Sequence, residues 1–323
     1  MVAIEEVLVF FLFLGFVAVI FFIAVTSNPE RVSLYSSKAR RIANSRTLLH
    51  ALGVDEAEFL RAKVDYSSFK IPKRTGGSRH LQIPNEELKG LQKKLLVYLT
   101  TKLGHRVSRN VHSYKKFRSI KTNAEVHIGA AVVIKLDIIN FFPKISVKKC
   151  RLVLKPLFLT KPIEDKLVEL VTTRGGLPQG APTSPLLSNL VLREVDKLIW
   201  YYCWSRGYKY SRYADDITIS LPKDDRKAIH KAISFVNHKL KSAGFRLNRR
   251  RGKFHILRRH QAQRICGVTI NSGKTTISRQ KRRELRAAKH HLALGRDCTL
   301  SENQLQGYDA YLKMIHGVRE ARL

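Results

Sequence analysis

The stretch Tyr208-Lys209-Tyr210-Ser211-Arg212-Tyr213-Ala214-Asp215-Asp216-Ile217-Thr218-Ile219-Ser220 decides the fold. On both sides of its centre, β-forming residues alternate with small or polar ones, which predicts two short strands joined by a tight turn. Successive side chains of a strand point to opposite faces, so Asp215 and Asp216 cannot both enter the core. At the tip of a hairpin, at least one of them can reach a metal ion. A solvated loop also commonly carries two acids, so other segments must decide.

A third carboxylate, Asp137, lies in the apolar stretch from residue 131 to residue 143. An acid in such a strand is costly unless it is paired or binds a cation. A hydrogen-bonded structural Asp is the alternative. Three carboxylates from two strands suit a pair of Mg²⁺ ions, because Mg²⁺ prefers hard oxygen ligands. Two such ions, about 4 Å apart, activate an attacking hydroxyl and stabilise leaving pyrophosphate.

A loop rich in Gly and Pro, residues 175–185, lies between these segments and runs into a helix-like apolar stretch, Leu186 to Trp200. Such a loop lets backbone approach a flat ligand closely; a plain connector is the alternative. Together the three segments resemble motifs A, B and C of reverse transcriptases, the last in its tyrosine-x-Asp-Asp form.

The resemblance narrows to the bacterial retron reverse transcriptases. Asn123-Ala124-Glu125-Val126-His127 stands where that family has Asn-Ala-x-x-His, and residues 177–185 are similar to its Leu-Pro-Gln-Gly-Ala-Pro-Ser-Ser-Pro. Residues 264–271 fall where the family shows Val-Thr-Gly, of which this chain keeps only Gly267. The resemblance covers residues 35–320.

This resemblance implies an α+β right-hand polymerase with fingers, palm and thumb. We expect a helical N-terminal extension in residues 28–64, fingers and palm in 65–270, and the thumb in 271–323. The family's partners are a structured noncoding RNA, which is both template and primer, dNTPs and the RNA–DNA hybrid product. Its product is branched, RNA-linked single-stranded DNA (msDNA), and it acts in antiphage defence with a separate or fused effector protein.

The resemblance also assigns catalytic roles. Asp137 and Asp215 would bridge two Mg²⁺ ions, with Asp216 assisting. Phe142, five residues after Asp137, is the expected steric gate: a flat ring against C2′ leaves no room for a hydroxyl, which predicts a DNA product. The alternative places Phe141 and Phe142 both in the core. Gln179 is expected to contact the nucleotide's sugar and base.

Cations near the triphosphate come from two further segments. Residues 66–84 predict a β-hairpin with a Gly-Gly tip, and its cations Arg79 and Lys73 suit a triphosphate; an exposed basic turn is the alternative. Lys253 lies just beyond the place where relatives have Lys-Lys, here Arg250 and Arg251. Since Arg is a poor proton donor, Lys253 is a weak candidate contact to the leaving pyrophosphate.

Candidate RNA-binding residues fall in two groups. The family markers Asn123, His127 and Gly267 are expected to help position RNA, although a lone His is more often structural. The segment 279–294 is predicted to be a thumb helix that grips duplex phosphates, and its candidates are Arg282, Arg283 and Arg286. A solvated helix is the alternative.

The charge of the chain points the same way. It has 323 residues, with 60 Lys and Arg against 25 Asp and Glu, and a formal net charge of +35. Such an excess implies a polyanionic partner, nucleic acid or an acidic lipid surface. The four cysteines show no metal-ligand spacing and are expected to be reduced cytoplasmic thiols.

The segment Val7–Val25 carries no charge. As a helix it would span about 28 Å, close to a bilayer core. Basic residues follow it, which predicts a single-pass anchor in residues 1–27 with the catalytic domain on the cytoplasmic side of a bacterial inner membrane. A cleaved signal peptide would need a basic start, and this start is acidic. A core helix is the other alternative.

Several helices are predicted from periodicity and capping residues. They are a pair of short helices in residues 33–59 with caps at Ser45 and Asp55, and further helices in 85–104, 146–170, 224–243 and 305–318. The aromatic run 200–204 is expected in the palm core.

Two other functions remain open at this point. One is another bacterial reverse transcriptase, of group II intron or defence type. The other is a catalytically silent, membrane-tethered RNA-binding protein, which the intact Asp triad argues against.

Overall fold

The computed structural model describes residues 29–72, 77–173, 175–250, 252–296 and 300–316, with side chains from residue 36 onward. The chain divides into two compact units. Of the described residues, one unit comprises 29–64 and 154–170, and the other comprises 65–153 and 171–316.

The first unit contains α1 (Pro29–Leu52) and α2 (Glu56–Arg61). The prediction of a cap at Ser45 was wrong, because α1 is one helix of 24 residues and Ser45 lies inside it, where its hydroxyl contacts Thr160 at 3.2 Å. Asp55 does cap α2 and forms a reciprocal capping box with Glu58. Buried apolar residues of both helices form the core, including Leu48, Leu52 and Phe59.

The second unit is built on a four-stranded antiparallel sheet in the order β4-β5-β3-β6. Its strands are β3 (Val132–Asp137), β4 (Lys209–Tyr213), β5 (Asp216–Leu221) and β6 (Phe254–Arg258). The predicted hairpin is confirmed: Tyr213 pairs with Asp216 across a two-residue turn. Five of the six residues of β3 are buried, as expected for a central strand.

A separate hairpin, β1 (Tyr66–Pro72) and β2 (Ser78–Pro84), agrees with the prediction for residues 66–84. It leads into α3 (Glu86–Leu103), capped by Asn85. The next helices along the chain are α4 (Ile120–Glu125), α5 (Val147–Leu154) and α6 (Lys161–Val171), and α6 belongs to the first unit except for its last residue.

The predicted helix from Leu186 to Trp200 is two helices, α7 (Ser184–Val191) and α8 (Arg193–Trp204), which meet at Leu192. The prediction that the aromatic run 200–204 lies in the core was wrong for three of its four aromatic side chains. Only Tyr202 and Cys203 are buried, while the side chains of Trp200, Tyr201 and Trp204 are exposed.

The remaining elements are α9 (Arg226–Ser242), the two-stranded β7 (Arg264–Ile265) and β8 (Val268–Thr269), α10 (Arg279–Ala293) and α11 (Glu302–His316). α10 and α11 share a small apolar core that includes Leu285, Leu305 and Leu312. The mixture of helices and antiparallel sheet confirms the α+β prediction.

No helix in the described part of the chain is long and apolar enough to span a membrane. The predicted anchor Val7–Val25 lies outside the described residues, as does Lys73 at the hairpin tip.

Candidate active site

Three carboxylates meet at one end of the four-stranded sheet. β3 ends at Asp137, which lies directly across from Asp216, the first residue of β5. The amide of Ile138 donates a 3.1 Å hydrogen bond to the carbonyl of Asp215 in the β4–β5 turn. Residues far apart in sequence are therefore held side by side by strand pairing.

The cluster carries unbalanced negative charge. Burial and the neighbouring Asp215 raise the pKa of Asp216 to about 6. Burial, and then the charge of Asp137, also raise the pKa of Asp215. Both shifts mean that the ionised carboxylates disfavour one another in a poorly hydrated site, so a cation bound among them would be strongly stabilised.

Two further side chains hold Asp137. The ammonium of Lys253 lies 2.7 Å from Oδ1, and the amide of Asn248 donates to Oδ2 at 2.9 Å. The hydrogen bond to Asp137 is the main reason that the pKa of Lys253 is raised. The sequence analysis did not predict Asn248 as a site residue, although it lies five residues before the candidate Lys253.

The turn between β4 and β5 has an unusual backbone. Ala214 has a φ of 56°, a left-handed conformation that non-glycine residues rarely adopt. Its N–H donates to the hydroxyl of Ser113 at 2.7 Å, and its carbonyl accepts from the guanidinium of Arg212 at 2.8 Å. Both polar groups of the strained residue are thus satisfied by buried partners.

Arg212 is fully buried and paired with Asp196 on α8. Its Nε and Nη2 donate to the two carboxylate oxygens at 2.8 and 2.7 Å, and Tyr210 donates to the same carboxylate at 2.6 Å. Asn189 on α7 accepts from Arg212 at 3.2 Å and donates to the carbonyl of Ser113 at 3.1 Å. This network fixes the turn to two helices, and sequence patterns gave no signal for it.

The glycine-rich loop touches the β1–β2 hairpin. The backbone N–H of Gln82 donates a hydrogen bond to the backbone carbonyl of Gln179 at 2.9 Å. A Cβ at Gly180, whose φ is 138°, would lie 2.7 Å from the carbonyl oxygen of Gln82, so only glycine permits this approach. On the same strand, the charge of Arg79 offsets a small part of the rise that burial causes in the pKa of Asp215, which brings the predicted triphosphate contact into the electrostatic range of the carboxylates.

The two phenylalanines after β3 have different environments. Phe141 is buried, with its ring centroid 6.0 Å from that of Phe245. Phe142 begins a short 3-10 turn and is half-buried. The alternative that both rings belong to the core is wrong, and Phe142 keeps the accessible surface that a steric gate needs.

Residues 71–285 match the family described as reverse transcriptase (RNA-dependent DNA polymerase). Retron Mx65 reverse transcriptase of Myxococcus xanthus is 37% identical over 276 residues, which cover 80% of this chain and 63% of that protein. Retron Ec86 reverse transcriptase of Escherichia coli is 32% identical over 245 residues, 76% of this chain and 74% of that protein. The chain belongs to the retron-type reverse transcriptases.

The chain thus spans less than two thirds of the length of the Mx65 relative. Among solved structures, telomerase from Candida albicans in complex with a telomeric RNA fragment matches with a TM-score of 0.47 and 14% identity, over 81% of this chain and 56% of that chain.

The residues predicted to help this reverse transcriptase bind RNA differ in how accessible they are. Asn123 and His127 are buried, and His127 bridges two strands through Ser211 and Ser220, each at 2.8 Å. Neither side chain offers surface to a ligand, so direct contact with RNA is excluded in this conformation, and the expected help in positioning RNA would come through the elements that these residues hold together. Gly267, with a φ of 86°, forms the β7–β8 turn.

The cations of α10 differ among themselves. Arg283 and Arg286 are exposed on the helix surface, where phosphates can reach them. Arg282 is partly buried and donates to the hydroxyl of Thr276 at 2.8 Å. Of these three predicted phosphate contacts, Arg283 and Arg286 are therefore open to a polyanion without rearrangement.

Tyr114 lies within electrostatic range of the carboxylates of the reverse transcriptase. It follows Ser113, has a φ of 54° and is 54% exposed. Burial, and then the charge of Asp215, raise the pKa of its phenol. A strained aromatic beside the carboxylates is a candidate contact for primer or nucleotide.

The metal chemistry depends on the three Asp side chains. Among the described residues, no group of three or more His, Cys, Asp or Glu side chains is already arranged around a metal position. The carboxylates nevertheless fit Mg²⁺, because they supply hard oxygens and their mutual repulsion favours a cation. Asp137, Asp215 and Asp216 would hold it, and Asp137 would exchange its contact with Lys253 for the metal.

Proposed function

We propose that this chain is an RNA-directed DNA polymerase that adds dNTPs to a primer paired with an RNA template. The observation that carries the proposal is the strand register that sets Asp137 opposite Asp216, with Asp215 in the adjoining turn. Family membership supports the same chemistry.

In this reaction the primer hydroxyl attacks the α-phosphate of the dNTP, and pyrophosphate leaves. Bound Mg²⁺ would lower the pKa of the attacking hydroxyl and stabilise charge on the leaving group. Arg79 would bind the triphosphate, and Gln179 would contact sugar and base. Phe142 would exclude a 2′-hydroxyl. Lys253, released from Asp137, would neutralise charge on pyrophosphate.

We further propose that the template and primer are one structured noncoding RNA, and that the product is branched, RNA-linked single-stranded DNA (msDNA). The names of the relatives, all retron reverse transcriptases, support this. The exposed Arg283 and Arg286 would bind duplex phosphates in the thumb, together with Gly267 at the neighbouring turn. A role in antiphage defence with an effector protein belongs to the same proposal.

Residues 1–27 are proposed as a membrane anchor, which places the enzyme on the cytoplasmic side of a bacterial inner membrane. The uncharged Val7–Val25 and the basic residues that follow support it. Sodium carbonate washing of membranes tests the anchor: full-length protein is expected to stay with the lipid, and its release would remove this proposal.

Primer extension on an RNA template tests the polymerase. Wild-type protein is expected to extend a DNA primer with dNTPs and Mg²⁺, and Asp215→Asn is expected to lose extension while keeping RNA binding. RNA binding without extension by the wild type would point to the silent RNA-binding protein instead. Sequencing of nucleic acid copurified with the protein identifies the cognate RNA.

A further inference from the structure

An exposed aromatic stripe runs along α8. It consists of Leu198, Trp200, Tyr201 and Trp204, with exposed fractions of 47%, 40%, 61% and 62%. The ring centroids of the two tryptophans are 6.1 Å apart, and that of Tyr201 is 6.0 Å from that of Trp204. Contiguous exposed apolar surface of this kind marks an interaction site.

The aromatic stripe is remote from the carboxylates. α8 ends shortly before Lys209, where β4 begins, whereas the turn with Asp215 follows the other end of β4. Four residue steps of strand separate the two ends by about 13 Å. The opposite face of α8 is buried and includes Val195, Ile199 and Cys203. The stripe therefore belongs to the outer surface of the unit.

Cations line the seam between α8 and its neighbour α9. Tyr202 of α8 and Phe235 of α9 stack with centroids 4.1 Å apart, which sets the helices side by side. The guanidinium of Arg206 lies 4.0 Å from the Tyr202 ring, and the ammonium of Lys239 lies 5.4 Å from the Phe235 ring. Positive charge thus lies where α8 and α9 meet, and Arg206 follows Trp204 of the aromatic stripe by two positions in the sequence.

The exposed side of α9 continues this positive charge. Between Asp225, which caps the helix, and Glu284, the sequence has no acidic residue. The exposed basic side chains of α9 are Arg226, Lys227, His230, Lys231, His238 and Lys241. Two adjacent helices therefore present apolar rings on α8 and, on α9, exposed Lys and Arg side chains with no acidic residue among them.

We propose that the aromatic stripe and the exposed basic side of α9 together lie against an anionic lipid bilayer. Trp and Tyr prefer the headgroup level of a membrane because they combine an apolar body with a polar edge. Lys and Arg are attracted to acidic headgroups. Leu198 fits a lipid surface and offers no ring on which a nucleobase can stack. A second copy is disfavoured, since each chain carries a formal charge of +35.

The chain contains only two tryptophans, Trp200 and Trp204, and both lie in the stripe. Intrinsic tryptophan fluorescence of the full-length protein therefore reports this surface alone, and the apolar segment Val7–Val25 adds no signal. The protein is reconstituted into phosphatidylcholine nanodiscs with or without phosphatidylglycerol. In anionic discs, emission is expected to move to shorter wavelength and to be quenched by brominated acyl chains. High salt is expected to weaken both effects.

Charge variants provide the matched control. Lys227→Glu with Lys231→Glu is expected to lower affinity for the anionic surface at least about 30-fold, since each cation near such a surface contributes about fivefold and two are lost. Lys93→Glu with Lys102→Glu makes the same change in net charge on α3 and is expected to leave quenching unchanged. Primer extension is expected to be unaffected in both.

Three results would overturn the proposal. The first is unchanged tryptophan emission in protein that stays with anionic discs. The second is a change in tryptophan emission with single-stranded RNA but not with lipid. The third is a concentration-dependent blue shift of the emission without lipid, which would indicate a second copy. Failure of the proposed N-terminal anchor can be distinguished from failure of this proposal. Protein that carbonate releases from membranes lacks the anchor, but its tryptophan quenching on added anionic vesicles still tests the aromatic stripe.

Discussion

The ammonium of Lys253 lies 2.7 Å from Oδ1 of Asp137, so the chain supplies a cation of its own to the carboxylate cluster. Lys253→Met removes a competitor for the metal and a partner for pyrophosphate. We expect turnover to fall about tenfold, while half-saturating Mg²⁺ also falls. Primer extension over a Mg²⁺ titration measures both. Lys253→Arg should keep the wild-type Mg²⁺ requirement, and a higher requirement in Lys253→Met would contradict the expectation.

The Arg212–Asp196 pair is expected to hold the turn that carries Asp215. Arg212→Met leaves Asp196 buried without its partner and should cost about 3–5 kcal/mol of unfolding free energy. Adding Asp196→Leu should recover most of this stability, as judged by urea unfolding. It should not recover primer extension, because the Ala214 carbonyl still lacks its donor. Recovery of both properties together would assign the pair to stability alone.

Gly180 allows the hairpin to meet the glycine-rich loop. Gly180→Ala would push its Cβ against the carbonyl of Gln82, and we expect KM for dNTP to rise and turnover to fall. Gly175→Ala is the matched control, because the nearest atom to its Cβ would be 3.9 Å away. Steady-state kinetics compares the two, and equal effects would show that the close approach is unimportant.

Phe142 is expected to set the choice of sugar. Phe142→Val should raise incorporation of ribonucleotides relative to deoxyribonucleotides by about 100-fold, since a steric exclusion is removed. Phe141→Leu should instead cost stability and leave selectivity unchanged, because Phe141 is a core residue. Single-nucleotide extension gives the ratios, and an unchanged ratio in Phe142→Val would remove the assignment.

His127 makes stability depend on pH. Burial lowers its pKa from 6.5 to about 3. Between these values the unfolded chain binds a proton there and the folded chain does not, so this residue's contribution to unfolding free energy falls as pH decreases through that window. From pH 6.5 to 4.5 the loss should be about 2 kcal/mol. His127→Gln should flatten the urea-unfolding profile in this range; an equally steep profile would exclude His127 as a cause.

Local patterns predicted the parts of the fold that short segments determine. The alternation around Asp215 and Asp216 indicated the hairpin, and an acid within an apolar strand indicated Asp137. Asp55 was recognisable as a cap because Glu58 follows at the spacing of a capping box. In each case neighbours in sequence are also neighbours in space.

Features that depend on distant partners were not predictable in this way. Ser45 has a good capping residue type, but its partner Thr160 lies 115 residues away. His127 was expected to help position RNA, and its bridge between two strands was not predictable because its partners, Ser211 and Ser220, follow only after 84 and 93 residues. The aromatic run 200–204 has a core-like composition, yet helical geometry buries Tyr202 and Cys203 and turns Trp200 and Trp204 outward.

The long separations within the carboxylate site have a consequence during synthesis. Ser113, which holds Ala214, precedes it by 101 residues, and Lys253 follows Asp137 by 116. A growing polypeptide still attached to the ribosome cannot assemble the centre until residue 253 has emerged from the exit tunnel. The protein is therefore expected to gain activity only late in translation, and prematurely terminated products that stop before that point should be inert because they lack both Lys253 and β6, the strand that pairs with β3.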